Sequence, residues 1–227
     1  GIWQEDEVNA PFVDANGQTN GKTNGEVYKV KPGNSKYVDI NKDGVYNDAD
    51  QGIIGCGQPT FNWGWNNTFN YKNFDFSFFV VGFHGFDIYN ATHQMGYNLI
   101  KSQQVAGVTP MRELLNRWTP TNTNTNIPGF VNGGTENKDF FSTRFVENGS
   151  FIKMKSITLG YTLPETACRA LGITNLRVYA SVQNPFHITN YSGLDPEATM
   201  GSPLVQGVDW GSYPNSRNYL IGLNFSF

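Results

Sequence analysis

Two neighbouring segments of the chain alternate between apolar and polar side chains with a period of two. The segment FNWGWNNTFNY, at 61–71, and the segment FDFSFFVVGFHG, at 74–85, are separated only by Lys72 and Asn73. Alternation over this length predicts β-strands, and the two-residue link predicts a tight antiparallel hairpin. One face of this hairpin is expected to carry Phe61, Trp63, Trp65, Phe69 and Tyr71 of the first arm, and Phe74, Phe76, Phe78 and Val80 of the second.

Three further segments carry the same alternation. They are FIKMKSITLGYTL at 151–163, LRVYASVQN at 176–184 and NYLIGLNFSF at 218–227. A short helical turn is predicted over PETACRAL, at 164–171, because proline favours the first helical position and Gly172 suits a helix end. The segment MRELLNRW, at 111–118, also has helical spacing, and we interpret it as a loop cap with an apolar underside.

The length of the alternating segments distinguishes two all-β classes. Each segment runs for about 10 residues, which matches a tilted transmembrane strand, whereas strands of soluble sandwiches are typically about 5–6 residues long. No apolar run approaches the ~20 residues of a membrane helix; the best is FFVVGF at 78–83. We therefore predict an all-β fold, a transmembrane antiparallel β-barrel. Aromatic residues cluster near the strand ends, where barrels carry interfacial girdles: Trp63, Tyr71, Phe74, Tyr161, Phe225 and Phe227.

Connection lengths predict the orientation of these strands. Outer-membrane barrels have short periplasmic turns and long extracellular loops, and here the links 71–73 and 164–175 are short. We predict an extracellular loop region at 1–60, followed by barrel strands within 61–227 that carry extracellular loops at 85–150 and 189–215. Five strands would leave two open edges in lipid, where backbone groups must be paired. The remainder of the barrel is therefore expected from sequence outside this chain.

Composition and cysteine content narrow the function classes. The 227 residues carry a formal net charge of -3 and show no stripe of Lys and Arg, which argues against nucleic-acid binding. The chain is 15% aromatic with a mean hydropathy of -0.43, and alternating strands produce that mixture. Cys56 and Cys168 are predicted on opposite sides of the membrane, beyond the reach of a disulfide.

One segment, DINKDGVYNDAD at 39–50, fits the twelve-residue calcium loop of EF-hands. Ca²⁺ takes six to eight hard oxygen ligands, and alternate residues of a tight loop converge on one point. Asp50 replaces the usual Glu at position twelve, so a modest affinity is expected, which millimolar extracellular calcium would still satisfy. The alternative is a turn whose Asx side chains cap their own backbone. The predicted ligands are Asp39, Asn41, Asp43, the Val45 carbonyl, Asn47 and Asp50, with Gly44 at the sharp turn.

The other polar motifs give little indication of chemistry. His84, His93 and His187 show no metal-ligand spacing. Asp195 and Glu197, in LDPEAT, are interpreted as solvated charges of a proline-containing turn rather than as an acid–base pair. No nucleophile motif, phosphate loop or dinucleotide fingerprint is present, so we predict that the protein is not an enzyme.

Several segments, in order, resemble the C-terminal part of SusC/RagA-type TonB-dependent outer-membrane transporters of Bacteroidetes. They are GIWQEDE, YVDINKDGVYNDADQGIIGCGQPTFNWGWNNTFNYKNFDFSFFVVGFHGFDIYN, FIKMKSITLGYTLP, LRVYASVQNPF, YSGLDPE and NYLIGLNFSF. The resemblance implies the last five strands of a 22-stranded barrel in the cell outer membrane. A plug domain and a TonB box would belong to more N-terminal sequence. The final aromatic, Phe227, resembles the signal that the barrel-assembly machinery recognises.

The resemblance also implies partners and a mechanism. A SusD-like surface lipoprotein would form a lid over the barrel, oligosaccharides or peptides would be the cargo, and the TonB complex would drive import. Polar wall residues such as Arg177, Tyr179 and Gln183 would tune selectivity. Four loop aromatics are candidates either for stacking on sugar rings or for packing loop against loop: Tyr97, Trp118, Trp210 and Tyr213.

Two rival interpretations remain open at the level of sequence. One is a soluble, calcium-stabilised carbohydrate-binding β-sandwich, which the calcium-like loop and the aromatics would suit. The other is an outer-membrane barrel enzyme, for which the sequence offers no convincing nucleophile or base. The sequence does not identify the cargo.

Overall fold

The long strands of the described residues all lie from residue 61 onwards, among short helices and strands. The structure, a computed structural model, describes residues 1–97, 111–129, 141–170, 172–200 and 206–226. The α-helices there are α1 (Glu5–Asn9), α2 (Asn24–Tyr28), α3 (Ala91–Tyr97) and α4 (Glu165–Ala170), with 3-10 helices at Asp48–Asp50, Arg112–Asn116, Thr143–Phe145 and Pro196–Met200. The strands are β1 (Pro11–Val13), β2 (Thr19–Thr23), β3 (Phe61–Tyr71), β4 (Phe74–His84), β5 (Asp87–Asn90), β6 (Val146–Asn148), β7 (Phe151–Thr162), β8 (Asn175–Gln183), β9 (His187–Thr189), β10 (Val208–Asp209) and β11 (Asn218–Ser226).

The five longest strands form one antiparallel sheet in chain order. Its spatial order is β3, β4, β7, β8, β11, and the short β9 pairs with the first residues of β7. The strand bounds lie within one residue of those predicted from alternation, so all five predicted strands are confirmed. Phe227, the last position of the predicted apolar stripe, lies outside the described residues.

The connections at one end of this sheet are tight, and we call this end the turn end. Tyr71 pairs directly with Phe74, and Lys72 adopts the left-handed region with φ of 52°, as a two-residue hairpin turn requires. Helix α4 links β7 to β8, and Gly172 follows it with φ of 71°. A residue with positive φ is a common way to end a helix, so the predicted helical turn is confirmed.

A β-bulge divides β7 into two parts. Phe79 of β4 pairs with Ser156, but the next residue, Val80, pairs with Met154, so Lys155 is the extra residue. A bulge shifts the alternation of side chains by one position. Beyond it, Phe151 and Lys153 therefore share a face with Phe79 rather than with Phe78.

The chain divides into two compact units. The first joins 1–54 with 91–145, and its core contains Trp3, Val8, Val30 and Tyr46. In this unit the MRELLNRW segment forms the 3-10 helix Arg112–Asn116 with Leu114 buried, which agrees with a loop cap whose underside is apolar.

The second unit joins 55–90 with 146–227 and contains the main sheet. A small sheet in the order β10, β5, β6 lies in the same unit, with β10 parallel to β5. The core here is a cluster of Val81, Phe86, Ile88, Phe151 and Tyr191. This cluster lies at the strand end opposite the tight turns, which we call the loop end.

Neither cysteine forms a disulfide: Cys56 is exposed and Cys168 is buried, and both are free. Among the helices of the described ranges, none combines the length and the apolar character needed to cross a bilayer.

Candidate functional site

One face of the main sheet, which we call the apolar face, carries large hydrophobic side chains that are exposed at the surface of the structure. Cross-strand pairing aligns them in rows, as in Phe69–Phe76–Leu159 and Leu159–Ala180–Ile221. Ile221 is 83% exposed and Leu159 is 51% exposed, although water-soluble proteins rarely leave a contiguous apolar surface of this kind uncovered. Other exposed members of the face are Phe61, Trp65, Tyr71, Phe74, Tyr219, Leu223 and Phe225.

The opposite face, the polar face, carries hydrogen-bonding and charged groups at the turn end. Arg177 donates two hydrogen bonds to Asp75, one of them from Nε to Oδ1 at 2.9 Å. Gly160 lies between the two side chains, where an added Cβ would be 2.3 Å from Asp75 Oδ1. Arg177 also lies over the ring of Tyr179, with 4.9 Å between its Cζ and the ring centroid. At the turn end, the charges of Arg177 and Asp75 are therefore paired within the sheet.

On each edge strand of the sheet, one side chain departs from the alternation. Asn67 pairs with Phe78 and so lies on the apolar face, and Leu220 pairs with Ser181 and so lies on the polar face. Both belong to strands β3 and β11, which are the edges of this sheet.

At the loop end, the polar face holds a group of charges, of which Lys153 and Asp195 are buried. Lys153, only 2% exposed, donates to Asp195 at 2.8 Å and to Glu197 at 2.7 Å. Lys155 also pairs with Glu197, and Asn215 donates its backbone N–H to Asp195 at 3.1 Å. The expectation that Asp195 and Glu197 are solvated turn charges is therefore wrong, because two lysines of β7 pair with them across more than 40 residues of sequence.

The environment of Asp195 explains its ionisation. Burial by itself would raise the pKa of this carboxyl group. The hydrogen bonds from Lys153 and from the Asn215 backbone outweigh burial, so the pKa of Asp195 lies below its ordinary value. The group is therefore a carboxylate at neutral pH, as its ion pair with Lys153 requires.

A second buried contact fixes the loop that follows β9. The Tyr191 hydroxyl donates to Asp209 Oδ2 at 2.6 Å, and Asp209 Oδ1 accepts from the backbone N–H groups of Gly211 and Ser212. Burial, followed by the Asp209 contact, raises the pKa of Tyr191. Tyr191 therefore remains a neutral donor over the physiological range.

The predicted calcium loop is closed by its first and last residues. Asp39 Oδ2 accepts from the Gly44 N–H at 2.8 Å and from the Tyr28 hydroxyl at 3.0 Å. Asp50 accepts from the N–H groups of Ile40 and Asn47, and the Asn47 N–H is the main reason why the pKa of Asp50 is lowered. Gly44 has φ of 83°, and a Cβ there would lie 2.4 Å from Val27 Cγ1, so this position requires glycine.

Within the loop, the alternate polar side chains turn back onto the backbone. Asn41 Oδ1 accepts from the Asp43 N–H at 3.1 Å, Asp43 Oδ1 from the Val45 N–H at 2.8 Å, and Asn47 Oδ1 from the Ala49 N–H at 2.7 Å. These contacts belong equally to an Asx-rich turn and to a calcium loop. In the described part of the chain, no three His, Cys, Asp or Glu side chains converge on a metal position.

One atom of the loop has no role in an Asx-rich turn. Asp39 Oδ1 is buried and has no hydrogen-bond partner, and an unsatisfied buried carboxylate oxygen is costly. Tyr28 holds the other oxygen of the same carboxylate and stacks on Tyr46 of the loop, with ring centroids 5.0 Å apart. Burial raises the pKa of Tyr46 to about 12. The loop is therefore fixed against the aromatic core of the first unit, and one carboxylate oxygen of Asp39 is left without a hydrogen bond.

The four loop aromatics separate into two pairs. Trp118 donates from Nε1 to Gln4 Oε1 at 3.0 Å, and Tyr97 donates to Glu113 and packs edge-on against Phe145. These two pack loop against loop. Trp210 is 57% exposed and Tyr213 is 89% exposed, so only this pair remains accessible for stacking.

The histidines do not form a common site. His84 stacks on Phe61, with centroids 5.0 Å apart, and His93 contacts the ring of Tyr97. His187 is exposed in β9.

The arrangement of the sheet defines the class of protein. It is a mostly-β chain whose long antiparallel strands have an exposed apolar face and a polar opposite face. The wall of a β-barrel transporter has the same two faces. Alignments with curated proteins agree with this class. The chain is 35% identical over 202 residues to TonB-dependent receptor P3 of Formosa agariphila and 30% identical over 198 residues to TonB-dependent receptor SusC of Bacteroides thetaiotaomicron. The alignments cover 86% and 87% of this chain, and 19% and 18% of those receptors.

Solved structures show the same relationship. A structure of the RagAB peptide importer in a closed-closed state superposes with a TM-score of 0.65 at 25% identity, covering 95% of this chain and 20% of that chain. A structure of the RagAB peptide transporter gives a TM-score of 0.62 at 27% identity, covering 75% of this chain and 17% of that chain. No protein-family model matches. The chain matches part of the SusC/RagA-type TonB-dependent receptors, which confirms the resemblance inferred from sequence, and it spans about a fifth of the length of these relatives.

Proposed function

We propose that this chain is a wall segment of an outer-membrane nutrient importer driven through TonB. The observation that carries the proposal is the exposed apolar face on five antiparallel strands, supported by the relatives named above. The apolar face would contact lipid, and the polar face would line the lumen. The edges β3 and β11 would pair with the remainder of a 22-stranded barrel.

The work of such a segment is transport without covalent chemistry, and no enzymatic role is proposed. The long connections at the loop end would face the cell exterior. The turn end would face the periplasm. The exposed Trp210 and Tyr213 would be available to an oligosaccharide or peptide cargo, or to a SusD-like lipoprotein lid. The resemblance inferred from sequence supports the lipoprotein as a partner. The description of RagAB as a peptide importer supports a peptide cargo, and the naming of the relatives as TonB-dependent supports coupling to the TonB complex.

The sandwich alternative requires the apolar face to pack against a second sheet. The exposure of Ile221, Leu223 and Phe225 argues against it. The test uses the full-length protein expressed with its native leader. We expect it to resist carbonate extraction from outer membranes and to migrate faster on gels when unheated, as folded barrels do. Release into detergent-free buffer as a folded monomer would refute the proposal.

The composition of the complex provides a second test. Affinity purification of the full-length protein in mild detergent is expected to recover a surface lipoprotein together with bound glycan or peptide, identified by mass spectrometry. Recovery of the folded protein from its native host without any lipoprotein would refute the proposed lid.

A calcium ion in the loop 39–50 is part of the proposal. The ligands would be Asp39 Oδ1, the side-chain oxygens of Asn41, Asp43, Asn47 and Asp50, and the carbonyl of Val45. The buried, unpartnered Asp39 Oδ1 supports it. The ion would neutralise the loop carboxylates and fasten the loop to Tyr28 and Tyr46, so its role would be structural. Unchanged thermal stability of the protein in EDTA would argue against it.

A further inference from the structure

Between β9 and β11, the stretches 191–199 and 207–215 fold back over the polar face at the loop end. We call these two described stretches the inner strap. Tyr191 joins the cluster that contains Val81 and Phe151, and these two residues lie on the polar face of β4 and β7 beyond the bulge. The inner strap therefore covers the polar face instead of extending away from it.

Charge pairing fastens the first stretch of the strap to β7, and the second stretch is hydrogen-bonded to the same carboxylates. Lys153 and Lys155 provide two positive charges, and Asp195 and Glu197 provide two negative charges. Asn215, in the second stretch, donates from Nδ2 to Asp195 at 3.1 Å and to Glu197 at 2.9 Å. The side chains of Lys153 and Asp195 are each 3% exposed. Separating them would leave unpaired charges in a buried site, which is strongly unfavourable.

Backbone contacts hold the second stretch independently of these charges. Strand β10 pairs with β5, so that Val208 aligns with Tyr89, and the Tyr89 N–H donates to the Gly207 carbonyl at 2.7 Å. Gly207 has φ of 77°, and its Cα closely approaches Gly57. A Cβ added to Gly57 would lie 2.3 Å from the carbonyl oxygen of Gln206. The chain at this position requires glycine on both sides of the contact.

From these contacts we infer that the inner strap is a fixed narrowing of the transport path, locked by the Lys153–Asp195–Glu197–Lys155 quartet, and is not a hinged lid. The inference rests on the proposed function only in identifying the polar face with the lumen. It follows that Trp210 and Tyr213, which the strap carries, occupy constant positions, and that any moving gate lies elsewhere in the protein.

Hydrogen–deuterium exchange of the full-length protein in detergent tests the inference. In the wild type, strap amides are expected to exchange as slowly as those of β7. Lys153→Met, which removes the charge but keeps most of the side-chain volume, is expected to accelerate strap exchange at least tenfold. The matched control is Arg169→Met, which removes the exposed ion pair with Glu165 and should leave strap exchange unchanged.

The double variant Lys153→Met with Asp195→Leu distinguishes charge pairing from general damage. An apolar pair of similar volume leaves neither charge unpaired, so strap exchange should return to within threefold of the wild type. Fast strap exchange in a wild-type protein whose β-strands are protected would overturn the inference and leave the proposed function intact. A protein that migrates at the same rate on gels whether or not it is heated would instead count against the proposed function. If Lys153→Met does not fold, the exchange rate of the strap amides in the wild type tests the inference by itself.

Discussion

A single arginine on the apolar face tests whether that face contacts hydrocarbon. Leu159 precedes the end of β7 at Thr162 by three residues. At about 3.3 Å per residue along a strand tilted by about 40°, Leu159 would lie roughly 8 Å inside the turn-end interface of an apolar band about 25 Å tall. This position is within about 5 Å of the bilayer midplane.

Arginine at such a depth costs about 2–3 kcal/mol of folding free energy, which is roughly a 30- to 150-fold change in the folding equilibrium. In water the result would differ, because Leu159 is half exposed and surface substitutions usually change stability by less than about 0.5 kcal/mol. We therefore expect Leu159→Arg to be strongly destabilising only if the face is in lipid.

The assay is guanidinium unfolding of the full-length protein in lipid vesicles, followed by tryptophan fluorescence. The matched control is Ser156→Arg, on the polar face of the same strand, where the arginine side chain would enter the lumen. If the two variants differ by less than about 0.5 kcal/mol, the assignment of the two faces is wrong.

Three further predictions concern other parts of the molecule. Asp39→Asn should abolish the rise in melting temperature that calcium produces and the terbium luminescence sensitised through Tyr28, whereas Asp48→Asn should preserve both; equal responses would exclude the site. Because the folded pKa of Asp195 is lowered, its stabilising contribution is complete above the ordinary carboxyl pKa of about 4 and is lost as the pH falls through the lower folded value. The melting temperature of Asp195→Asn should therefore fall less between pH 6 and pH 3 than that of the wild type, and parallel pH profiles would contradict this. Gly160→Ala should destabilise by about 1–3 kcal/mol through overpacking against Asp75 and Arg177, measured by guanidinium unfolding against Gly52→Ala, which has open space around it; equal effects would refute the close approach.

The contrast between the charge quartet and the strands shows which parts of the structure are readable from sequence. The alternation in β3 and β4 depends on residues two apart, so the hairpin at Lys72 and its apolar face were predicted with accurate bounds. The pairing of Lys153 with Asp195 joins residues 42 apart. LDPEAT taken alone has the composition of a solvated turn, which is why its burial was missed.

The calcium loop lies between these two cases. Its spacing from Asp39 to Asp50 is local and was visible in the sequence. The buried, free oxygen of Asp39 depends on Tyr28 and Val27, which lie outside the loop and pack against it. Likewise, the sequence did not separate Trp118 from Trp210, because their exposure depends on which loops fold over them.

By itself, the sequence determined the bounds of the five long strands, the apolar face and the family resemblance, because a period of two and a series of motifs are properties of neighbouring residues. Only the tertiary structure decided the bulge at Lys155, the return of the inner strap over the polar face and the pairing of its charges. These features depend on register and burial, which arise when segments distant in sequence exclude water from one another.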